Sequence, residues 1–454
     1  DLPNPKPQTP NPKPQTPVSD IIKERMEQNK HPINSREEAI HCFEEKLGER
    51  LTYLVVSPGR ANLIGEHTDY NQGLCAPIAI NKYIYLGFVD KGYTGEDGQR
   101  KELEFRAEII SLVYGESVVL TEYPKKTEDK PWANYLYGII DRFAQLNGGK
   151  PKGNYRVIIG GNLPIGFGIS SSAALCTGFC AGLNAILGCG YGRRERLEIA
   201  RWTEHNYAGT KCGHLDQTAI SYSKPGHILK LGFQSNDKTL SQASTLPFEV
   251  VLLHSGEFRS LSSSAFNQRL EETATAARTI KPGENPSLRD CSLEDLEKCK
   301  DKLTPVLYNR AKYVISENHR VERLLELLNE GKGVDEIREI MRQAHNGLSK
   351  LYEVSTEKLD LLADCAYSLK ELCFGGRLMG GGFGGCTVNL VFPGKSKQFI
   401  EEVDKIFHAK YNEHIIGIPV KMSDGLRIEN IARERYLEEN PVERIHRPKI
   451  FTSK

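Results

Sequence analysis

Two short glycine-rich segments constrain the fold of this chain more than any other feature of its sequence. Residues 164–175 (PIGFGISSSAAL) lead from a proline and two glycines into three serines and a helix-like run. Residues 375–385 hold seven glycines in eleven positions, directly before an apolar run over residues 386–392. Glycine lets a backbone adopt positive φ and approach a ligand or another backbone closely. We therefore expect each segment to approach a ligand or another part of the backbone closely. The second segment is expected to be a tight loop followed by a strand.

The first segment has the composition of a phosphate-binding loop. Serines at a helix start leave backbone N–H groups at the positive end of the helix dipole, where they can hold phosphate, and a serine hydroxyl there can bind Mg²⁺. No Lys-Ser or Lys-Thr pair follows the glycines, which argues against a Walker A loop. Gly166 and Gly168 also lack the third glycine of a dinucleotide fingerprint. A serine-capped helix after a turn is the alternative interpretation.

Residues 57–73 (SPGRANLIGEHTDYNQG) place several directional polar groups between two predicted strands. These groups are Arg60, Glu66, His67, Asp69 and Asn71. Their density on a turn suits a sugar, whose hydroxyls take carboxylate and imidazole contacts. A solvated loop is the alternative. Metal binding by Glu66, His67 and Asp69 is a second alternative, although the neighbouring Glu66 and His67 side chains would point apart on any regular element.

Residues 209–217 (GTKCGHLDQ) place Asp216 just after a glycine-containing turn, and Glu204 lies twelve residues earlier. Two acidic groups near a phosphate cradle can divide the work of phosphoryl transfer. One would hold Mg²⁺ and the other would orient the attacking hydroxyl. His214 is expected to be structural.

Charge and cysteine content exclude several classes of function. Lys+Arg total 60 and Asp+Glu 59, so bulk electrostatic binding to nucleic acid or an anionic membrane is not expected. The longest uncharged stretch, residues 157–192, is rich in glycine and contains a proline and Asn184, which favours a buried loop and helix over a membrane span. Eleven scattered cysteines without a CxxC pair indicate reduced thiols in the cytoplasm. Cys212 and Cys386 are expected to be packing residues.

The pattern of elements predicts the α+β class. A repeated heptapeptide at residues 4–10 and 11–17 predicts a proline-rich disordered tail over residues 1–18. Strands are predicted at 51–57, 83–89, 155–159 and 249–253. Helices are predicted within 19–50, 170–187, 293–372 and 396–411. We divide the remainder into an N-terminal domain at 19–240, a C-terminal domain at 241–435 and an extension at 436–454.

Together, the four segments resemble those of the GHMP small-molecule kinases, and of their galactokinase branch in particular, over residues 50–430. The resemblance implies a ribosomal-S5-domain-2-like N-terminal domain, a ferredoxin-like C-terminal domain and an active site between them. It also implies an enzyme that uses ATP and Mg²⁺ to phosphorylate the C1 hydroxyl of galactose, giving galactose 1-phosphate and ADP. A small-molecule sugar partner, no nucleic acid or membrane partner, and a monomer are expected.

The resemblance assigns a role to individual residues. Asp216 matches the catalytic aspartate and Arg60 the arginine that orients the hydroxyl. Metal ligation falls to Ser172 and Glu204. The sugar contacts are Glu66, His67, Asp69, Gly213 and Phe266. The nucleotide contacts are Trp132, Gly166, Gly168, Ser170, Ser171, Ser172 and Ala173.

Two departures leave the identity of the sugar open. Phe266 stands where the branch usually has a tyrosine that reaches the sugar, and Met379 replaces the usual threonine of the second glycine segment. Galacturonate, N-acetylgalactosamine and arabinose are alternative substrates, and segments 80–89 and 316–321 are similar to those of plant galacturonate kinases. A negative Glu66 beside C6 would repel a uronate by about 1–4 kcal/mol, which favours a neutral sugar. A non-catalytic galactose sensor is the remaining alternative, and the intact serine run argues against it.

Overall fold

A computed structural model describes residues 32–92, 103–234, 237–242, 248–257 and 262–439 of this chain. The predicted proline-rich tail at 1–18 and most of the extension at 436–454 lie outside these residues. The helices are α1 (Arg36–Leu47), α2 (Asn134–Leu146), α3 (Ser171–Leu187), α4 (Arg193–Thr203), α5 (Leu215–Tyr222), α6 (Ser262–Ile280), α7 (Leu293–Lys298), α8 (Pro305–Glu330), α9 (Val334–Asn346), α10 (Glu357–Ser368), α11 (Ser396–Tyr411) and α12 (Ile431–Glu439).

The strands form three sheets. The strands are β1 (Tyr53–Asn62), β2 (Leu74–Cys75), β3 (Pro77–Asp90), β4 (Arg106–Ser111), β5 (Glu116–Leu120), β6 (Asn154–Gly161), β7 (His227–Gly232), β8 (Asp237–Gln242), β9 (Glu249–His254), β10 (Cys373–Met379), β11 (Cys386–Val391), β12 (Ile416–Val420) and β13 (Arg427–Asn430). A six-stranded sheet runs in the order β13-β1-β3-β6-β4-β5, a four-stranded sheet in the order β10-β11-β9-β12 and a three-stranded sheet in the order β2-β7-β8.

The six-stranded sheet carries helices on both faces. Phe179 of α3 packs on Phe88 of β3, with ring centroids 6.0 Å apart. On the opposite face, Phe43 of α1 is fully buried against Tyr85 and Ile158. The pairing within the sheet is antiparallel except between β4 and β6. This two-sided burial fits the mixed helix and strand pattern predicted from the sequence.

Strand β1 is longer than its predicted range of 51–57. It runs through Pro58 and Gly59 to Asn62, with a shift of pairing register between those two residues. Proline lacks an N–H group, and within sheets it is tolerated at such irregularities. A Cβ on Gly59 would lie 2.4 Å from Leu163 Cδ1, so the strand passes close to the start of the phosphate loop. Arg60 therefore lies on a strand, where the sequence predicted a turn.

The second glycine-rich segment is only partly the loop that we expected. Its first five residues complete β10, whose seven residues are all buried, and the loop follows at 380–385. Gly376 allows this strand to pack tightly, because a Cβ there would lie 2.0 Å from Asn389 Oδ1 and 2.8 Å from Ala366 Cβ. The seven glycines thus divide between a buried strand and a turn.

The four-stranded sheet holds a second apolar core. Helices α10 and α11 cover it, and Phe399 and Phe407 pack with Val251 and Leu253 of β9. The third sheet is small, and β2 pairs with β7 directly after the polar segment at 57–73. No helix in the described ranges is both long and apolar enough to cross a bilayer. All eleven cysteines are among the described residues, and each is a free thiol.

The end of the described chain returns to the first sheet. Strand β13, from the predicted C-terminal domain, pairs antiparallel with β1, where Tyr53 lies opposite Asn430. The helix predictions at 170–187 and 396–411 and the strand predictions near 83, 155 and 249 are confirmed. The boundary at 240 stays a prediction.

Candidate active site

One cleft of about 310 Å³ collects the segments that the sequence singled out. It is lined from five stretches of chain that are distant in sequence: 60–70, 166–172, 204–216, Phe266 and 380–381. Those residues are Arg60, Asn62, Glu66, His67, Asp69, Tyr70, Gly166, Gly168, Ser170, Ser171, Ser172, Glu204, Thr210, Cys212, Gly213, Leu215, Asp216, Phe266, Gly380 and Gly381. Apart from Trp132 and Ala173, every site residue predicted from the sequence lies on this cleft.

The centre of the cleft is a carboxylate held by two donors. Arg60 Nε donates to Asp216 Oδ1 at 2.7 Å, and the hydroxyl of Ser170 donates to Asp216 Oδ2. Arg60 Nη1 also donates to the carbonyl oxygen of Gly168 at 2.7 Å. Arg60 is buried, whereas the Asp216 side chain is 30% exposed, so this charge-assisted contact is open to the cleft on the carboxylate side. The structure thereby places Asp216 directly beside the phosphate loop.

Local backbone geometry sets up this arrangement. Asp216 lies in the first turn of α5, and Arg60 follows the register shift of β1. Ser170 precedes α3 with φ +62°, a conformation that is unusual for a residue with a side chain. Arg60 N bonds to the carbonyl oxygen of Ile169 at 3.2 Å, which ties the strand to the loop. The sequence predicts that Ser170 contacts the nucleotide, and this stays a prediction; in the structure its hydroxyl donates to the Asp216 carboxylate.

A second carboxylate lies beside the serine run. Ser172 Oγ donates to Glu204 Oε1 at 3.0 Å, and Gln217 donates to the other carboxylate oxygen. Burial, and next the negative charge of Asp216, raise the pKa of Glu204 to about 7. A cation bound here would offset that cost. The structure therefore brings together the two side chains predicted to bind metal.

Glu66 is paired with a buried arginine of the second glycine segment. Arg377 Nη2 donates to Glu66 Oε2, and Gly380 N donates to Oε1 at 2.9 Å. Arg377 is fully buried, and its guanidinium also bonds the carbonyl oxygens of Leu63 and Asn62. The sequence predicts that a negative Glu66 would repel a uronate, and in the structure Arg377 offsets that charge. The preference for a neutral sugar stays a prediction.

Asp69, from the polar segment at 57–73, lies on the same cleft as Asp216. Burial, and next the charge of Asp216, raise the pKa of Asp69 to about 6. A Cβ on Gly213 would lie 1.9 Å from Asp69 Oδ2, so only glycine fits between this carboxylate and the loop before α5. Gly213 thus makes room for Asp69 and also lines the cleft.

An aromatic cluster forms the remaining wall. His67, at φ +60°, pairs its Nδ1 with the Tyr70 hydroxyl at 2.7 Å, and that hydroxyl meets Tyr352 Oη at 2.9 Å. The Phe266 ring lies edge-on to Tyr70, with centroids 5.4 Å apart, and 5.5 Å from the His67 ring. Phe266 therefore supplies an apolar surface where a tyrosine would supply a hydroxyl. The Tyr70 hydroxyl is already engaged by two partners.

A second cavity of about 140 Å³ opens beyond the serine run. Trp132 lies on it, with its indole Nε1 donating to Glu116 Oε2 at 2.8 Å and its ring stacked on Tyr114 at 5.7 Å. Ser171 and Ser172 line both cavities, so the phosphate loop joins them. Ala173, predicted to contact the nucleotide, is buried in the core under the loop.

Sequence reasoning missed several residues of the site. These are Asn62, Tyr70, Tyr114 and Arg377. The period of two along β1 puts Asn62 on the same side as Arg60 and could have revealed it. A buried arginine needs a carboxylate partner, but nothing in the sequence identifies Glu66 as that partner. The described residues contain no group of three or more His, Cys, Asp or Glu placed to hold a metal, so Glu66, His67 and Asp69 do not form one.

Comparisons with known proteins identify the family to which this chain belongs. A family model described as the galactokinase galactose-binding signature matches residues 41–88, and one described as the GHMP kinases N terminal domain matches residues 134–224. The chain is 31% identical over 373 residues to the galactokinase of Thermotoga maritima, covering 82% of this chain and 99% of that protein. It is 33% identical over 378 residues to the galactokinase of Thermococcus kodakarensis, covering 82% of this chain and 99% of that protein. The chain belongs to the galactokinase family.

Solved structures agree with this assignment. The structure of Lactococcus lactis galactokinase complexed with galactose superposes with a TM-score of 0.78 at 25% identity, covering 86% of this chain and 99% of that one. A mevalonate kinase superposes with a TM-score of 0.56 at 18% identity, which shows the shared fold. The predicted GHMP kinase fold is thus confirmed, and family membership makes the chain an ATP-dependent sugar kinase.

Proposed function

We propose that this chain transfers the γ-phosphoryl group of ATP to the C1 hydroxyl of galactose, giving galactose 1-phosphate and ADP. The observation that carries the proposal is the position of Asp216. Its carboxylate is bonded by Arg60 and Ser170, and Arg60 also bonds Gly168 of the phosphate loop. A hydroxyl held at this carboxylate would lie next to phosphates held at the start of α3.

Each protein group has a defined task in this mechanism. Asp216 accepts a hydrogen bond from the attacking C1 hydroxyl and orients it toward the γ-phosphorus atom. Arg60 keeps the carboxylate in place and offsets negative charge that develops during transfer. Because the transition state of phosphoryl transfer is loose, positioning and charge neutralisation supply most of the catalysis. The side chains at the cleft centre fit that requirement.

The nucleotide would span the two cavities. Its phosphates would lie along the loop at 166–172, at the positive end of α3. The base would enter the smaller cavity beside Trp132 and Tyr114, whose stacked rings offer an apolar surface. Ser171 and Ser172 line both cavities, which gives a continuous path of the required kind.

Mg²⁺ would bind between Ser172 and Glu204. The fit rests on a buried carboxylate whose pKa is raised to about 7 by burial and by the charge of Asp216, so that a cation stabilises its ionised form. Both groups supply oxygen ligands, which Mg²⁺ prefers. A bound ion would neutralise phosphate charge beside the loop.

The sugar would occupy the other end of the cleft. Asp69 and His67 would contact ring hydroxyls, Gly213 would leave room for them, and Phe266 would pack on an apolar face of the ring. The Glu66 carboxylate would contact a hydroxyl from its position beside Arg377. We propose that the enzyme is a monomer. The free cysteines favour a reducing compartment such as the cytoplasm.

Galacturonate is a second candidate substrate, and one observation favours it. Arg377 offsets the charge of Glu66, so a uronate carboxylate near Glu66 would meet less repulsion than an unpaired glutamate would give. Phe266 has no hydroxyl to offer the sugar, unlike the tyrosine usual in this branch. Other residues of the cleft would therefore decide whether a C6 hydroxyl or a C6 carboxylate is accepted.

The deciding experiment is ADP release with MgATP and galactose, galacturonate, N-acetylgalactosamine or arabinose, each assayed at the same concentrations. We expect the largest kcat/KM with galactose. Higher kcat/KM with galacturonate would favour the second candidate. Binding of galactose without ADP release would instead indicate a sensor. The variant Asp216→Asn serves as the control for contaminating kinase activity.

A further inference from the structure

Asn62 is a buried amide in the sugar end of the cleft whose side chain has no function assigned so far. It lies at the last position of β1, is 1% exposed and lines the same cleft as Arg60 and Glu66. Among the described residues, neither Nδ2 nor Oδ1 has a hydrogen-bond partner. A buried amide left in this state costs about 1–3 kcal/mol of folding free energy.

The backbone of Asn62 is fixed firmly, so its side chain has a defined direction. Its carbonyl oxygen accepts from Arg377 Nη2 at 3.1 Å, and its N–H donates to Met379 Sδ at 3.4 Å. In the strand pairing, Asn62 lies opposite Pro77 while Arg60 lies opposite Ala79. Residues two apart on a strand share a face, so the amide points to the same side as the Arg60 guanidinium.

This position lies between the two ends of the proposed sugar site. On one side, Arg60 holds Asp216, where the phosphoryl acceptor would be. On the other side, Arg377 holds Glu66, and Gly380 closes the cleft. An amide offers one acceptor and two donor hydrogens, so it can accept from one sugar hydroxyl and donate to its neighbour.

We propose that the Asn62 side chain binds a ring hydroxyl of the sugar substrate and contributes to sugar specificity. This inference rests on the proposed function, because it needs a sugar in the cleft. It also gives Met379 an indirect role. The Met379 side chain is fully buried behind Asn62, so it influences the sugar through the strand that carries the amide.

The test measures kcat/KM for galactose and its 2-, 3-, 4- and 6-deoxy analogues with the wild type, Asn62→Ala and Asn62→Leu. A neutral hydrogen bond is worth about 0.5–1.5 kcal/mol, which corresponds to a loss of up to about tenfold in kcat/KM for galactose. For one deoxy analogue, the variant and the wild type should have nearly equal kcat/KM, because the hydroxyl that Asn62 binds is already missing. KM for ATP should not change.

Thermal stability distinguishes binding from a purely structural role. Leucine is close in shape to asparagine and removes the unpartnered amide, so Asn62→Leu should leave Tm unchanged or raise it while kcat/KM falls. Asn389→Leu is the matched control, because Asn389 is also a buried strand asparagine but donates to Val251 O at 3.1 Å and Thr387 Oγ1 at 3.0 Å. The control should lower Tm and leave the ratios among analogues unchanged.

Two outcomes would overturn the proposal. One is an equal loss of kcat/KM for galactose and for all four analogues in both Asn62 variants, with the wild type active. The other is a loss confined to Tm. Failure of the proposed function would be seen separately, as a wild-type protein that turns over none of the sugars. In that case, the rise in Tm on adding galactose, compared between wild type and Asn62→Leu, still measures whether the amide binds sugar.

Discussion

The two glycine-rich segments of this chain use glycine for different physical reasons. In the phosphate loop, Gly166 and Gly168 have φ +82° and +75° and both line the open cleft. In the second segment, a Cβ on Gly382 would lie 2.2 Å from the carbonyl oxygen of Val354, and one on Gly384 would lie 2.6 Å from that of Glu257. The first segment therefore leaves room for a ligand, and much of the second is pressed on other backbone.

The comparison shows that a glycine cluster in a sequence is not by itself a sign of ligand binding. Of the described residues in the second segment, only Gly380 and Gly381 line the cleft, whereas a Cβ on Gly376, Gly382 or Gly384 would clash with neighbouring atoms. Substitutions in the second segment should therefore affect folding, and those in and around the first should affect turnover. The predictions below test this difference, beginning with the largest effect.

Gly382→Ala should destabilise the protein most. The substitution combines a φ of +74° with a Cβ 2.2 Å from backbone, and these two effects together cost about 2–5 kcal/mol. Gly394→Ala is the matched control, because its φ is +73° but a Cβ there has nothing within 4 Å. Chemical denaturation measures both variants. Equal loss in the two would show that backbone strain, and not close packing, requires glycine at 382.

Asp216→Asn should reduce kcat by about 10²-fold or more, because the amide is a poor acceptor for the hydroxyl proton. Steady-state kinetics with MgATP and galactose measure the effect. Full turnover by the variant would show that Asp216 is not needed for the reaction. The proposed role of the first glycine-rich segment in turnover would then also lose its support.

Sugar affinity should depend on pH through Asp69. Its pKa is raised to about 6 by burial and by the charge of Asp216, so below pH 6 it becomes protonated and accepts hydrogen bonds poorly. KM for galactose should rise about tenfold between pH 7 and pH 5, as one ionisation with that pKa predicts. Asp69→Asn should remove this pH dependence, although KM will be higher throughout. If KM still rises between pH 7 and pH 5 in the variant, another ionisable group causes the pH dependence.

The same ionisation predicts an effect on folding with a definite sign. Because the folded-state pKa of Asp69 is raised, the ionised form is disfavoured in the folded protein. The free-energy cost of ionising Asp69 in the folded protein is absent below pH 4, grows as the pH rises, and reaches its full value above pH 6. Without ligand, Asp69→Asn should therefore have a higher Tm than the wild type at pH 8, and the same Tm at pH 4.

The smallest expected effect concerns the contact between the two segments. Cys386 Sγ donates to the carbonyl oxygen of Phe167 in the phosphate loop at 2.8 Å. Cys386→Ala should lower the free energy of unfolding by about 1 kcal/mol and raise KM for ATP by a small factor. Cys373→Ala is the control, because its thiol bonds Gly375 O and Leu390 O away from the loop. An equal change of KM in both variants would argue against coupling through Cys386.

Much of the fold could be predicted because its signals are local. Helix α11 at 396–411 follows from apolar periodicity, and α3 follows from the serines and alanines that begin it. Strand β1 was predicted too short, since Pro58 normally ends a strand and is accepted here only at a register shift. The sequence predicts a loop for most of β10, because glycines favour turns locally, whereas the helices that pack on this strand come from other parts of the chain.

The sequence alone determined which chemical groups are present: the serine run, Arg60, Asp216, Glu204 and the polar turn after β1. Tertiary structure decided how they are paired. Arg377 reaches Glu66 across 311 residues of sequence, and the Asn62 amide faces the cleft without a protein partner. The physical reason is that propensity and periodicity act over a few neighbouring residues, whereas the charge state and hydrogen bonds of a buried group depend on whatever distant segment packs against it.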